Sequence, residues 1–191
     1  MTAKHTTFVG LLAALAIMGG LALYSVGRWF PIPGSKFVVM APYLGLIMFM
    51  ALLRLESPWA MTQVSTGLAV LVGAISPLMS VAVFTSGLCS DLTGRLLPVH
   101  GRSKMHLCIR AALFPMYSVV MALVVTNYLT RDALFGVIGP IPLVLGALLN
   151  YLLGLGGGLI GIKISDRIMV RDVTAETKCG RQAGGEPRAS P

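Results

Sequence analysis

Acidic residues are scarce: the 191-residue chain has 7 Asp and Glu against 15 Lys and Arg, a formal charge of +8. Charged residues of both signs make up 12%, about half the share of an average globular domain. So little charge excludes a soluble enzyme and a disordered polyelectrolyte. The 3 cysteines, Cys89, Cys108 and Cys179, form no paired spacing and exclude a disulfide scaffold. Nucleotide- and hydrolase-type motifs are missing as well. There is no G-x-x-x-x-G-K-[ST], no G-x-S-x-G and no H-E-x-x-H. The stretch from Gly156 to Lys163 is glycine-rich but apolar and lacks the Lys-Ser/Thr ending. The chain therefore does not hydrolyse ATP by itself. A membrane-embedded phosphotransferase needs several acids to hold metal and phosphate, and Asp91, beside Gly94 and Arg95, is the one acid in or near an apolar run with such neighbours. The expectation is a protein that is not an enzyme, with no cofactor and no metal site. Cys89, Asp91, His100, His106 and Cys108 match no firm zinc spacing.

What the chain has in quantity is apolar length. Hydrophobic residues are 55% and mean hydropathy is +0.82. A helical crossing needs about 20 apolar residues, and six charge-poor runs can be marked out. They lie at Thr7–Val26, Phe37–Leu53, Trp59–Ser76, Leu78–Leu97, Leu107–Leu129 and Phe135–Ile164. Ser57 to Ser90 holds no charge, and Pro77 is its natural break. Asp91 and Arg95 put two charges into the end of the fourth run. The sixth is interrupted early by Pro140 and Pro142. No run alternates as a barrel strand does. The expected fold is an all-α membrane protein, a compact bundle of about six transmembrane helices over residues 1–168. A disordered basic tail follows over residues 169–191.

The basic residues give an orientation. With the N-terminus inside, Lys4, Arg54, Arg95, Arg102, Lys104, Arg110, Lys163, Arg167, Arg171, Lys178, Arg181 and Arg188 are cytoplasmic, and Arg28, Lys36 and Arg131 are outside. Both termini are then cytoplasmic and the location is the plasma membrane. The positive charge reads as topology and attraction to the lipid bilayer, not as nucleic-acid binding. The N-terminal run resembles a signal peptide but is long and lacks an A-x-A site, so it reads as a retained first helix.

Several features point beyond packing. Gly10/Ala14 and Ala16/Gly20 are small-xxx-small pairs on the first helix, suited to a partner subunit. Gly146, Asn150, Gly154 and Gly158 form a row on the last helix, with Gly157, Gly161 and Ser165 as a second row, and Ser65, Ala69 and Gly73 repeat the pattern on the third. These rows fit internal packing, or else a docking surface. Asn150 is a polar group inside a span, suited to a neighbouring helix or to a substrate. The connection Gly27–Phe37 combines Arg28, Trp29 and Lys36 with Pro31, Pro33 and Gly34. It fits an interfacial aromatic belt or a binding loop for a flat anionic ligand. Lys36, just before the second run, is the better placed of the two cations.

The size, the six runs, the small-residue first helix, the PIPGSKF segment (Pro31–Phe37) and the glycine-rich last helix ending in Lys163, Asp166 and Arg167 together resemble an S component of an energy-coupling factor (ECF-type) ABC transporter. The resemblance covers about Phe8 to Arg167. It implies a substrate-binding subunit for a vitamin or similar micronutrient, with the substrate under the first outer loop at Arg28, Trp29 and Lys36. It implies a membrane coupling subunit and two cytoplasmic ATPase subunits as partners, docked on the first helix. The competing expectation is an accessory or assembly membrane protein that holds a partner through small-residue stripes and has no substrate; a third is a lipid-handling enzyme subunit.

Overall fold

The computed structural model describes residues 3–27, 29, 35–55, 57–96, 103–130 and 140–183, with side chains at 6–27, 29, 36–55, 57–96, 103–125 and 141–167. Six helices and no strand occur among them: α1 (Ala3–Gly27), α2 (Ser35–Leu55), α3 (Ala60–Gly73), α4 (Pro77–Leu96), α5 (Lys104–Thr130) and α6 (Pro140–Ala183). In hydrocarbon every backbone N–H and C=O must be paired within the segment, which an apolar chain achieves as helix.

Four helices are long and apolar enough to cross a membrane, over Thr6–Gly27, Lys36–Leu55, Lys104–Val125 and Ile141–Arg167. The α3–α4 pair differs from the expectation of two further full crossings. α3 is only 14 residues, about 21 Å at 1.5 Å per residue. α4 continues to Leu96 through Asp91 and Arg95.

The proline positions are local rules made visible. Pro77 and Pro140 are the first residues of α4 and α6, where a missing N–H costs nothing. Pro142 lies in the first turn of α6 and does not interrupt it. The helix continues through residue 168 to Ala183. The physical reason is that Met169–Cys179 contains no Gly or Pro, and the first glycine comes at Gly180. Residues 184–191, and Phe135 to Gly139 at the expected start of the sixth run, lie outside the described residues.

α2 is the axis of the bundle. Its residues Leu44, Ile47, Met48, Phe49, Ala51 and Leu52 are buried and join Leu12 and Ala16 of α1, Val64 and Leu68 of α3, and Ala111 and Phe114 of α5 in one core. It packs on α1, α3, α5 and α6. α6 fits because its glycines leave room. A Cβ at Gly157 would run into the Pro42 carbonyl, one at Gly154 would meet the Pro115 ring, and one at Gly161 would meet Phe49. Gly146 and Gly156 face open space. The two rows expected on this helix therefore merge into one packed face that excludes Gly146. The α3–α4 hairpin closes in the same way: Gly87 lies against Ser65, and Ser80 Oγ donates to the Ala69 carbonyl at 2.8 Å.

Candidate functional site

The connectivity places two polar groupings at opposite ends of the bundle. The first lies where α1 ends and α2 begins. Gly27 lets the two helices approach, since a Cβ there would come within 2.9 Å of the Lys36 Cα. Lys36 Nζ donates to the Tyr24 hydroxyl at 3.1 Å and lies 4.6 Å from the centroid of that ring. The ammonium is half-buried, has a cation–π partner, and has no carboxylate partner among the described residues. Trp29 is 87% exposed and does not join it. Arg28 and Phe30–Gly34 lie outside the described residues. Of the three loop residues expected to meet a substrate, one is thus placed on the bundle itself.

Asn150 is 2% exposed, on the packed face of α6. Its Nδ2 donates to the Gly146 carbonyl of its own helix at 2.8 Å. Its Oδ1 is buried with no donor. An unpaired buried acceptor costs about 1–3 kcal/mol. Asn150 and Lys36 have no contact with each other.

The four residues expected on the α1 docking surface divide between two faces. Ala16 is buried in the core and Gly20 is buried with the Met40 methyl nearby. Gly10 and Ala14 face outward with Leu11, Leu15, Met18 and Leu21. One small-residue pair closes the bundle and the other is free of it.

The second grouping was not assembled from the sequence. Asp91 on α4 is 0% exposed, and its Oδ2 accepts from Thr62 N and Thr62 Oγ1, both at 2.7 Å. Trp59, at the start of α3, offers no side-chain cap. Asp91 therefore caps α3 from a neighbouring helix, where a carboxylate is favoured by the helix dipole. Arg110 Nη2 of α5 lies 3.9 Å from Asp91 Oδ1, an ion pair without a direct hydrogen bond. One turn further along α4, the Arg95 guanidinium stacks 3.6 Å over Trp59. Four of the five buried unpaired side-chain atoms among the described residues, on Gln63, Asp91, His106 and Arg110, belong to this end. Asp91 was recognised in the sequence only as an isolated acid. The signal that would have found the grouping is the default that an acid inside an apolar run has a specific partner. Near this end, Lys104 of α5 pairs with Asp166 of α6.

Cys108 is buried, with its Sγ 3.4 Å from the Leu155 carbonyl, and Cys89 is partly exposed. Among the described residues no three His, Cys, Asp or Glu side chains gather as metal ligands; His100 lies outside them.

Compared with protein-family models, curated proteins and solved structures, the chain matches none.

Proposed function

We propose that this membrane protein is the substrate-binding subunit of an uptake system of the ECF type. In this reading it takes a vitamin or similar micronutrient at the α1–α2 end, with both termini in the cytoplasm of a plasma-membrane protein. The observation that carries the reading is Lys36: an ammonium held half-buried against Tyr24 with no acid beside it among the described residues. Tyr24 satisfies one of its three N–H donors, and an arriving anion would complete the others with charge-assisted hydrogen bonds. Asn150, also proposed as a substrate contact, has its Oδ1 buried without a donor. The energy comes from separate ATPase subunits through a membrane coupling subunit, which docks on the outward face of α1 at Gly10 and Ala14. Small residues there let a partner backbone come close.

The test is mass spectrometry of small molecules retained by the purified protein, together with uptake in cells. Lys36→Ala should lower binding and uptake at least tenfold, and ATPase subunits should copurify with the unsubstituted chain. Unchanged binding and uptake after both Lys36→Ala and Trp29→Ala would sink the reading. The outward Gly10/Ala14 face also favours a second reading, an accessory or assembly membrane protein with no substrate. That reading expects a copurifying membrane partner, no retained small molecule and no ATPase.

A further inference from the structure

α3 and α4 are the two described helices outside the set that is long and apolar enough to cross a membrane singly. α3 lacks the length. Its 14 residues give about 21 Å against a hydrocarbon core of about 30 Å. α4 has the length, with 20 residues, but carries Asp91 and Arg95 in its last two turns. A carboxylate without a partner is among the costliest groups to bring into a crossing helix. In the fold Asp91 is fully buried and provided for. Its Oδ2 accepts from the Thr62 N–H and hydroxyl, both at 2.7 Å, and Arg110 of α5 brings the opposite charge to 3.9 Å from Oδ1. Near the tip, Ser80 Oγ donates to the Ala69 carbonyl at 2.8 Å. The hairpin is thus tied to itself at both ends. Among the described residues its one ion pair with the rest of the bundle is through Arg110.

The other four helices form a continuous frame without the hairpin. α2 packs on α1, α5 and α6, and α5 packs on α6. α2 and α6 run in the same direction, with Gly45 against Gly154 and Phe49 against Gly161. α5 runs the opposite way along α6, with Lys104 paired to Asp166 and Cys108 against Gly158. α2 therefore ends, and α5 begins, at the same end of the bundle. A hairpin joining two such points can lie in the membrane or out of it without reversing any helix of the frame.

We infer that the α3–α4 hairpin is a conditional insert: it crosses the membrane as one unit, and only when Asp91 is closed on Thr62 and faced by Arg110. α1, α2, α5 and α6 cross each by its own length and apolarity. Arg110 carries the condition, because it stands on a frame helix and supplies the charge that the hairpin lacks beside Asp91. The hairpin is then the one part of the fold that can leave the membrane while the frame keeps its topology. Neither a substrate nor a partner subunit enters, so the transport reading can fail while the conditional insert stands.

Single cysteines in the full chain read the state. Ile75→Cys reports the hairpin tip, where the side chain is 74% exposed. Trp29→Cys reports the α1–α2 end of the frame and Arg167→Cys the opposite end. A membrane-impermeant charged maleimide is applied to intact cells and to inverted vesicles, with the unsubstituted chain as the blank. Ile75→Cys should react from the same face as Trp29→Cys, and Arg167→Cys from the other face. Arg110→Glu sets a second acid against Asp91. It should lower labelling of Ile75→Cys from the Trp29 face at least tenfold and expose the tip on the Arg167 face, while Trp29→Cys and Arg167→Cys keep their faces. Arg110→Lys should leave the tip in place, and Arg110→Glu should lose its effect when Asp91→Asn removes the facing acid. A tip that keeps its face in Arg110→Glu inserts unaided. Reporters that all change together show a hairpin inseparable from the frame. A tip labelled from neither face before Arg110 is changed does not cross. Each of these three results overturns the conditional insert.

Discussion

Thr62→Val removes one hydroxyl at constant shape and isolates the Asp91 cap. The wild-type hydroxyl donates to a fully buried carboxylate at 2.7 Å, and a hydrogen bond to a charged group contributes about 1.5–3 kcal/mol. The Thr62 backbone N–H, also at 2.7 Å, survives the substitution and keeps Oδ2 partly satisfied. The expected loss is therefore about 1.5–2.5 kcal/mol, within that range. Asp91→Ala strips both Thr62 donors of their acceptor and leaves Arg110 without its counter-ion. Breaking a buried pair costs about 3–5 kcal/mol, moderated here because Arg110 keeps 24% of its side chain exposed and reaches water. Asp91→Asn keeps an acceptor for Thr62 and should fall between wild type and Asp91→Ala. The assay is denaturant titration in mixed detergent micelles, followed by helical circular dichroism. A double-mutant cycle between Thr62→Val and Asp91→Ala, which removes the acceptor outright, should return a coupling of at least about 1 kcal/mol, as contacting residues in one network do. A coupling under about 0.5 kcal/mol, the value for independent sites, would refute the cap as the joint between α3 and α4.

Four further outcomes follow from the packing. Gly157→Ala should destabilise by at least about 1–3 kcal/mol because its Cβ meets the Pro42 backbone, while Gly146→Ala, in open space, should be neutral or stabilising by up to about 1 kcal/mol; the same titration reads both. Tyr43→Phe removes the hydroxyl that donates to the Leu15 carbonyl at 2.6 Å and should cost about 0.5–1.5 kcal/mol, seen as a lower thermal midpoint in detergent. Asp166→Asn, at a pair whose side chains are 36% and 54% exposed, should change stability by less than about 1 kcal/mol; a larger loss would mean the Lys104 pair is shielded from water. Ala14→Phe on the outward face of α1 should leave the melting curve intact and abolish partner copurification, whereas Ala16→Phe should unfold the bundle.

The glycine face of α6 shows how far pattern alone reaches. The spacing of Gly154, Gly158 and Gly161 announces close helix packing, because a missing Cβ is the only way two backbones approach so nearly. It does not say which helices come in, and it assigns Gly146 to a row whose neighbour it never meets. On α1 the two small-residue pairs read alike, yet only the position of α2 decides that Ala16 is inside and Gly10 outside.

The sequence by itself determined the class. Apolar runs of crossing length and a shortage of acids leave a helical membrane protein, since hydrocarbon tolerates neither unpaired backbone nor scattered charge. It also marked Pro77 as the break between the third and fourth runs, because proline's missing N–H is a local property; it read Pro140 as an interruption of the sixth run, where α6 in fact begins. Tertiary structure decided what depends on pairing between distant segments. It brought Asp91 to Thr62, 29 positions away, and left Lys36 with Tyr24 and not with an acid among the described residues. Those results depend on the relative height and rotation of packed helices, which no single segment encodes.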